Sequence, residues 1–218
     1  MFRIYYSFYV KEWPTSLFEA SLKPLPFDEA VKARKFVRWQ DRQACILGKL
    51  LLHYGLRKNA FDPDLSTLKY TPYHKPYFTS GPYFNISHSE GCVVCAISSD
   101  YNVGIDLEVC KETRVDDFRE VYTTKEWAYI CQQPAFKTSR FYEIWTRKEA
   151  IVKADGKGLM NPLEEIDTLR TKVCLNKVLY ELKPLSIAKG YACHLACENT
   201  QKAQLKKIST VEELLFDT

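Results

Sequence analysis

Apolar and polar positions alternate loosely over residues 2–10 (Phe2 to Val10), and aromatics are frequent, so this stretch reads as a strand. Pro14, Pro24 and Pro26 then mark a loop region with room for a short helix between them. Asp28 suits an N-cap, and a helical tract runs from it to about Asn59. Val31, Phe36, Ile46, Leu47, Leu50, Leu51 and Tyr54 recur at helical spacing, and the tract is long enough for two helices. Asp62-Pro63-Asp64 ends it. A turn-rich stretch at 71–77 leads into three short strand patterns, 83–87, 93–98 and 103–108, with a turn at Ser99-Asp100-Tyr101-Asn102. Residues 115–132 and 138–155 carry helical patterns, the second stopped by Gly156-Lys157-Gly158. The tail at 172–197 alternates again and predicts strands. Helices and strands mix without strict βαβ alternation, so the pattern predicts an α+β fold with a soft boundary near 99–102.

Composition narrows this little. The chain has 218 residues, 46% hydrophobic and 27% charged, which excludes a disordered, collagen-like or low-complexity polymer. At this length one large domain or two small halves are equally allowed. A net charge of +4 is too weak to argue for nucleic acid. The N-terminus lacks a signal-peptide pattern, and no run approaches the ~18 apolar residues of a membrane span. The best candidate, 44–56, is broken by Lys49 and His53. The expectation is a cytoplasmic protein that engages neither membrane nor nucleic acid.

Eight cysteines invite a disulfide or zinc reading through Cys92-x-x-Cys95 and Cys193-His194-x-x-Cys197. Both stretches look instead like buried strands with cysteine as a small hydrophobe. The odd spacing of Cys92 and Cys95 sends them to opposite faces of a regular strand.

Four segments carry candidate chemistry. In Gly104-Ile105-Asp106-Leu107-Glu108, a strand puts both acids on one face and both apolar residues on the other. Paired carboxylates repel unless a cation lies between them, and oxygen ligands of this kind suit Mg2+; an ordinary solvated strand edge would read the same. In Trp145-Thr146-Arg147-Lys148-Glu149-Ala150-Ile151-Val152-Lys153, helical spacing aligns Trp145, Glu149 and Lys153, as would a common Glu–Lys surface pair. Phe84-Asn85-Ile86-Ser87-His88-Ser89 ends a strand in hydroxyls and an imidazole, which suits phosphate oxygens or a simple polar turn. Adjacent strand residues point apart, so Ser87 and His88 make a poor nucleophilic pair. Lys35, Arg38 and Arg42, three and four apart, share a helical face, with Lys49 further along and Lys32 and Arg34 nearby; such a stripe grips phosphate or is merely solvated.

The ordered set of these motifs, with Lys75-Pro76-Tyr77 and Gly156-Lys157-Gly158-Leu159 between and after them, resembles the Sfp-like 4′-phosphopantetheinyl transferases. The resemblance is clear over about residues 30–160. It implies transfer of 4′-phosphopantetheine from coenzyme A to a serine of an apo acyl or peptidyl carrier protein, with release of 3′,5′-ADP. It implies two similar α+β halves related by a pseudo-twofold, here 1–101 and 102–218, with coenzyme A in the cleft between them. By motif, Asp106, Glu108 and Glu149 should bind Mg2+, with Mn2+ as a substitute. Lys153, also a catalytic candidate, should contact a phosphate or the surroundings of the attacking serine; His88 should donate to the pyrophosphate with Ser87 nearby, and Lys75 should meet the nucleotide phosphates. Tyr73 should lie against the adenine, with Pro76 and Trp145 also in the coenzyme site. Lys32 and Arg42 are candidates for the 3′-phosphate, and Glu29 stands where a further lysine is expected. Glu149 is the first candidate for the general base and Glu126 the second. A weakly basic surface would suit an acidic carrier, and Lys111, Arg114 and Arg119 in 109–123 are the candidate patch. Two halves in one chain predict a monomer. The competing readings are a non-catalytic coenzyme A or nucleotide sensor on the same fold and, more distantly, a nucleic-acid module.

Overall fold

The computed structural model describes residues 2–199 and 203–216. Its ten strands are β1 (Phe2–Phe8), β2 (Lys69–Tyr70), β3 (Pro76–Tyr77), β4 (Tyr83–Ser89), β5 (Cys92–Ser98), β6 (Val103–Val109), β7 (Lys172–Leu175), β8 (Val178–Pro184), β9 (Tyr191–Cys197) and β10 (Ala203–Lys207). Its six α-helices are α1 (Thr15–Leu22), α2 (Phe27–Arg34), α3 (Trp39–Lys58), α4 (Thr124–Cys131), α5 (Lys137–Asp155) and α6 (Val211–Phe216). Mixed helices and sheets make an α+β fold.

Two four-stranded sheets dominate, one ordered β10-β1-β5-β4 and the other β6-β9-β8-β7. Strict alternation along their strands builds successive layers. On β5, Val93, Cys95 and Ile97 turn toward α3, and Cys92, Val94 and Ala96 turn the other way. That second face meets Val103, Ile105 and Leu107 of β6 and Cys193, Leu195 and Cys197 of β9. The opposite face of the second sheet receives α5 through Ala150, Ile151, Ala154 and Ala196. The order is therefore helix, sheet, sheet, helix, with the acids of β6 on the α5 side. Cys92 and Cys95 lie in different apolar clusters, and all eight cysteines are free thiols.

Gly104 sets the distance between β6 and α5. A Cβ there would stand 2.0 Å from the Ala150 carbonyl oxygen and 2.3 Å from the Ala154 nitrogen. Only glycine lets the helix backbone lie on the strand at this point.

Several elements depart from the pattern. The tract from 28 to 59 is two helices, α2 and α3, as its length allowed, but the break at 35–38 takes in Phe36, one of the positions counted in the helical rhythm, and leaves Val37 exposed. Pro26, not Asp28, is the N-cap residue of α2. Lys35 follows α2 and Arg38 precedes α3, so the expected basic stripe is not one helical face. Residues 115–132 divide into a 3-10 segment, Val115–Val121, and α4, which starts at a capping box formed by Thr123 and Glu126. The end of the chain crosses back. β10 pairs in parallel with β1, and Ile208, Val211 and Leu214 complete the cluster under α3. A single cut at 101/102 therefore does not describe the packing, because 203–216 belongs with the first sheet.

Candidate active site

The two sheets meet where β4 lies beside β6. Asp106 is buried at 3% exposure. Its Oδ1 accepts from the Lys153 ammonium at 2.5 Å and from the Ser87 hydroxyl at 3.0 Å. Its Oδ2 is buried without a hydrogen-bond partner. Glu108, two residues on, accepts from the Ser89 hydroxyl at 2.8 Å. Lys153 also lies 3.2 Å from the Ser87 oxygen, so β4, β6 and α5 converge on one point.

Glu149 lies one helical turn before Lys153 and is half-buried. Burial pushes its carboxyl up from the ordinary range; Lys153 pulls it back, and Asp106 and Glu108 add to the rise. Glu108 is pushed up by burial too, and the Ser89 hydrogen bond opposes the shift. Burial pulls the His88 imidazole down, and Lys153 adds to the pull, so His88 is neutral near pH 7.

Beside the acids runs a groove of about 280 Å³ lined by Tyr73, Lys75, Pro76, Glu149, Lys153 and Gly156 among others. A second depression of about 410 Å³ shares Tyr73, Lys75, Pro76 and Gly156 and continues along Tyr77, Phe78 and Tyr83. Lys75 crosses from one half to the other, and its ammonium donates to the Ala154 carbonyl at the C-terminal end of α5, at 2.9 Å. Burial pulls this lysine down to about 8, with Asp155 opposing. Gly156 caps α5 in the left-handed region, at φ 85°, and a Cβ there would stand 2.9 Å from the Lys75 Cδ. His88 lines a separate depression with Tyr9, Arg38, Trp39 and Asp41, as the opposite direction of neighbouring strand residues requires.

A family model described as the 4′-phosphopantetheinyl transferase superfamily matches residues 102–198. The 4′-phosphopantetheinyl transferase gsp of Aneurinibacillus migulanus is 32% identical over 176 residues, covering 74% of this chain and 73% of the relative. The chain belongs to the 4′-phosphopantetheinyl transferase superfamily. A similar relative from Paxillus involutus, 4′-phosphopantetheinyl transferase pptA, is 31% identical over 196 residues, covering 76% of this chain and 73% of its own length. A Bacillus subtilis 4′-phosphopantetheinyl transferase is 33% identical over 137 residues, and the chain spans 61% of its length.

The resemblance implied a divalent cation at these acids. The donors here are hard oxygens, and Asp106 Oδ2 is a buried acceptor with no hydrogen-bond partner, so the residues fit such an ion. Among the described residues, however, no three His, Cys, Asp or Glu side chains stand together as a ready-made metal site. The expected trio is not closed: Lys153 takes one oxygen of Asp106, and Ser89 holds Glu108.

Other expected residues lie elsewhere or are otherwise engaged. Glu126, the second candidate for the base, is fully buried and lines neither depression beside the acids. One oxygen pairs with the equally buried Lys148 at 2.7 Å and accepts from the Thr123 amide; the other accepts from the Thr168 amide and hydroxyl. Arg42 pairs with Glu12 at 2.6 Å and lies over the Phe18 ring. Lys32 is exposed in the last turn of α2. Glu29, where a lysine was expected, accepts from Lys49 at 3.3 Å and from the Tyr70 hydroxyl at 2.7 Å. Trp145 stacks on Phe141 and meets the edge of Phe118. Of the basic residues expected to face a carrier, Lys111 pairs with Glu90, Arg119 lies over Trp127, and Arg114 is exposed. The pattern gave no role to Asn85 and read Ser89 only as one of the hydroxyls suited to phosphate oxygens, although their polar alternation along the strand was a signal that both face something polar. No helix among the described residues is long and apolar enough to cross a membrane.

Proposed function

We propose that the chain transfers the 4′-phosphopantetheine group of coenzyme A to a serine hydroxyl of an apo carrier protein and releases 3′,5′-ADP. The observation that carries this is the convergence of Asp106, Glu149, Lys153 and Ser87 beside the groove of Tyr73, Lys75 and Pro76. Such a seam offers oxygens for a cation and cations for a pyrophosphate, side by side.

In this reading the serine oxygen forms a bond to the β-phosphorus as the bond to the 3′,5′-ADP oxygen breaks. Glu149 receives the serine proton; its burial raises its basicity and favours that step. Lys153 donates to the pyrophosphate oxygens, while His88, which lines the separate depression with Arg38 and Asp41, does not reach this groove. Lys75 meets the nucleotide phosphates, and Tyr73 and Pro76 flank the base. Asp106 and Glu149 would hold Mg2+, with Glu108 as third ligand. When bound, that ion neutralises charge on the pyrophosphate oxygens. The two halves complete the seam within one chain, which supports a monomer.

Coenzyme A labelled in its pantetheine arm, incubated with the protein, Mg2+ and a panel of apo carriers, tests this. Label should appear on the carrier serine. Tight coenzyme binding with no label on any carrier would instead favour a coenzyme sensor.

A further inference from the structure

β4 is the edge of the first sheet and β6 the edge of the second, and no backbone ladder joins them. Side chains take its place. The amide of Ile105 donates to Asn85 Oδ1 at 2.8 Å, that of Leu107 to Ser87 Oγ at 3.3 Å, and that of Val109 to Ser89 Oγ at 3.1 Å. The three partners step together by two residues on both strands, so the two edges run parallel and in register. Asn85, Ser87 and Ser89 are all buried. Without them three amides of β6 would face the neighbouring sheet with no acceptor, which buried backbone rarely tolerates.

The two serines do more than Asn85. Each hydroxyl accepts an amide with its lone pair and spends its own proton on a carboxylate, Ser87 on Asp106 and Ser89 on Glu108. The residue whose carboxylate is held immediately precedes the residue whose amide is bound. A serine on the first sheet therefore fixes both the backbone and the acidic side chain of the second.

We infer that Asn85, Ser87 and Ser89 form a side-chain zipper in place of a strand pairing, and that through it Ser89 is a positioning residue for Glu108. The zipper rests on hydrogen bonds alone; the positioning role rests on the proposed transferase reading. It makes the two halves one unit at the reacting seam, because the acids of one half take their orientation from the other. Ser89 touches Glu108 rather than the reacting atoms. Groups that orient a metal ligand in this way change metal affinity about 10–100-fold when removed.

Two measurements test it. Hydrogen exchange on the unmodified chain should find the amides of Ile105, Leu107 and Val109 as protected as the paired amides of β5. Fast exchange at all three overturns the zipper, whatever the chain catalyses. Direct Mn2+ binding, followed by electron paramagnetic resonance without coenzyme, should weaken about tenfold in Ser89→Ala and recover in Ser89→Thr, which keeps the hydroxyl. Circular dichroism confirms that each variant is folded. Wild-type Mn2+ affinity in folded Ser89→Ala overturns the positioning role, as does a folded Ser89→Thr that binds no better than Ser89→Ala. Absence of both Mn2+ binding and carrier loading in the unmodified chain overturns the transferase reading and the positioning role together, and leaves the exchange result to decide the zipper.

Discussion

Burial pulls the Lys75 ammonium down to about 8, so in the free protein it is a cation below that pH and neutral above. A phosphate partner needs the cation. The value of kcat/KM for coenzyme A should therefore fall as pH rises through about 8, since this ratio reports the free protein. Lys75→Arg keeps its charge and should carry the plateau at least one pH unit higher; an unchanged profile would remove Lys75 from the phosphate site. Residue-level chemistry was legible where it rested on spacing. Periodicity put Asp106 and Glu108 on one face of a strand and Glu149 and Lys153 on one face of a helix; that the two faces share a site was implied by the resemblance, not by spacing. Glu126 was not legible, because whether a carboxylate faces a cleft or a buried lysine depends on a partner 22 residues away, Lys148. Removing that carboxylate takes from the buried Lys148 its paired carboxylate. Glu126→Ala should cost about 3–5 kcal/mol in denaturant unfolding, and a loss below about 1 kcal/mol would contradict the assignment.

Helix α5 carries both Glu149 and Lys153, and its height above β6 is set by Gly104. In Gly104→Ala the new methyl would meet helix backbone, which cannot rotate away as a side chain can. The expected cost is about 1–3 kcal/mol, toward the upper end, with a larger fall in turnover as Lys153 lifts from Asp106. Thermal unfolding and turnover, measured together, check this; a variant as stable and active as the parent would show that the contact does not set the seam. The pattern located α5 and the three strands before it to within a residue or two, since each is long or sharply alternating. It failed where an element is short or broken. Two helices between 28 and 59 were allowed for, but the break at 35–38 has no proline or glycine to place it, and the 3-10 segment at 115–121 shares its apolar spacing with a helix.

Across the whole molecule, the feature least legible in the sequence is the return of β10 and α6 to the first sheet. Parallel pairing with β1 joins strands about 200 residues apart, and nothing local encodes it. Deleting 203–218 would bare one edge of β1 and the apolar cluster around Ile208, Val211 and Leu214. Light scattering should then show aggregation at concentrations where the full chain stays dispersed, because an exposed edge invites further strands. The two sheets, their outer helices and the acidic seam together support one central claim, that this chain modifies a carrier serine using Asp106 and its neighbours. The intact mass of an apo carrier, incubated with coenzyme A, Mg2+ and either the parent chain or Asp106→Ala, tests that claim most directly. The account predicts a gain of one phosphopantetheinyl group with the parent, lost on chelation of the metal and lost in the folded variant. Loading by Asp106→Ala at the parent rate, or none by the parent on any apo carrier, would contradict it.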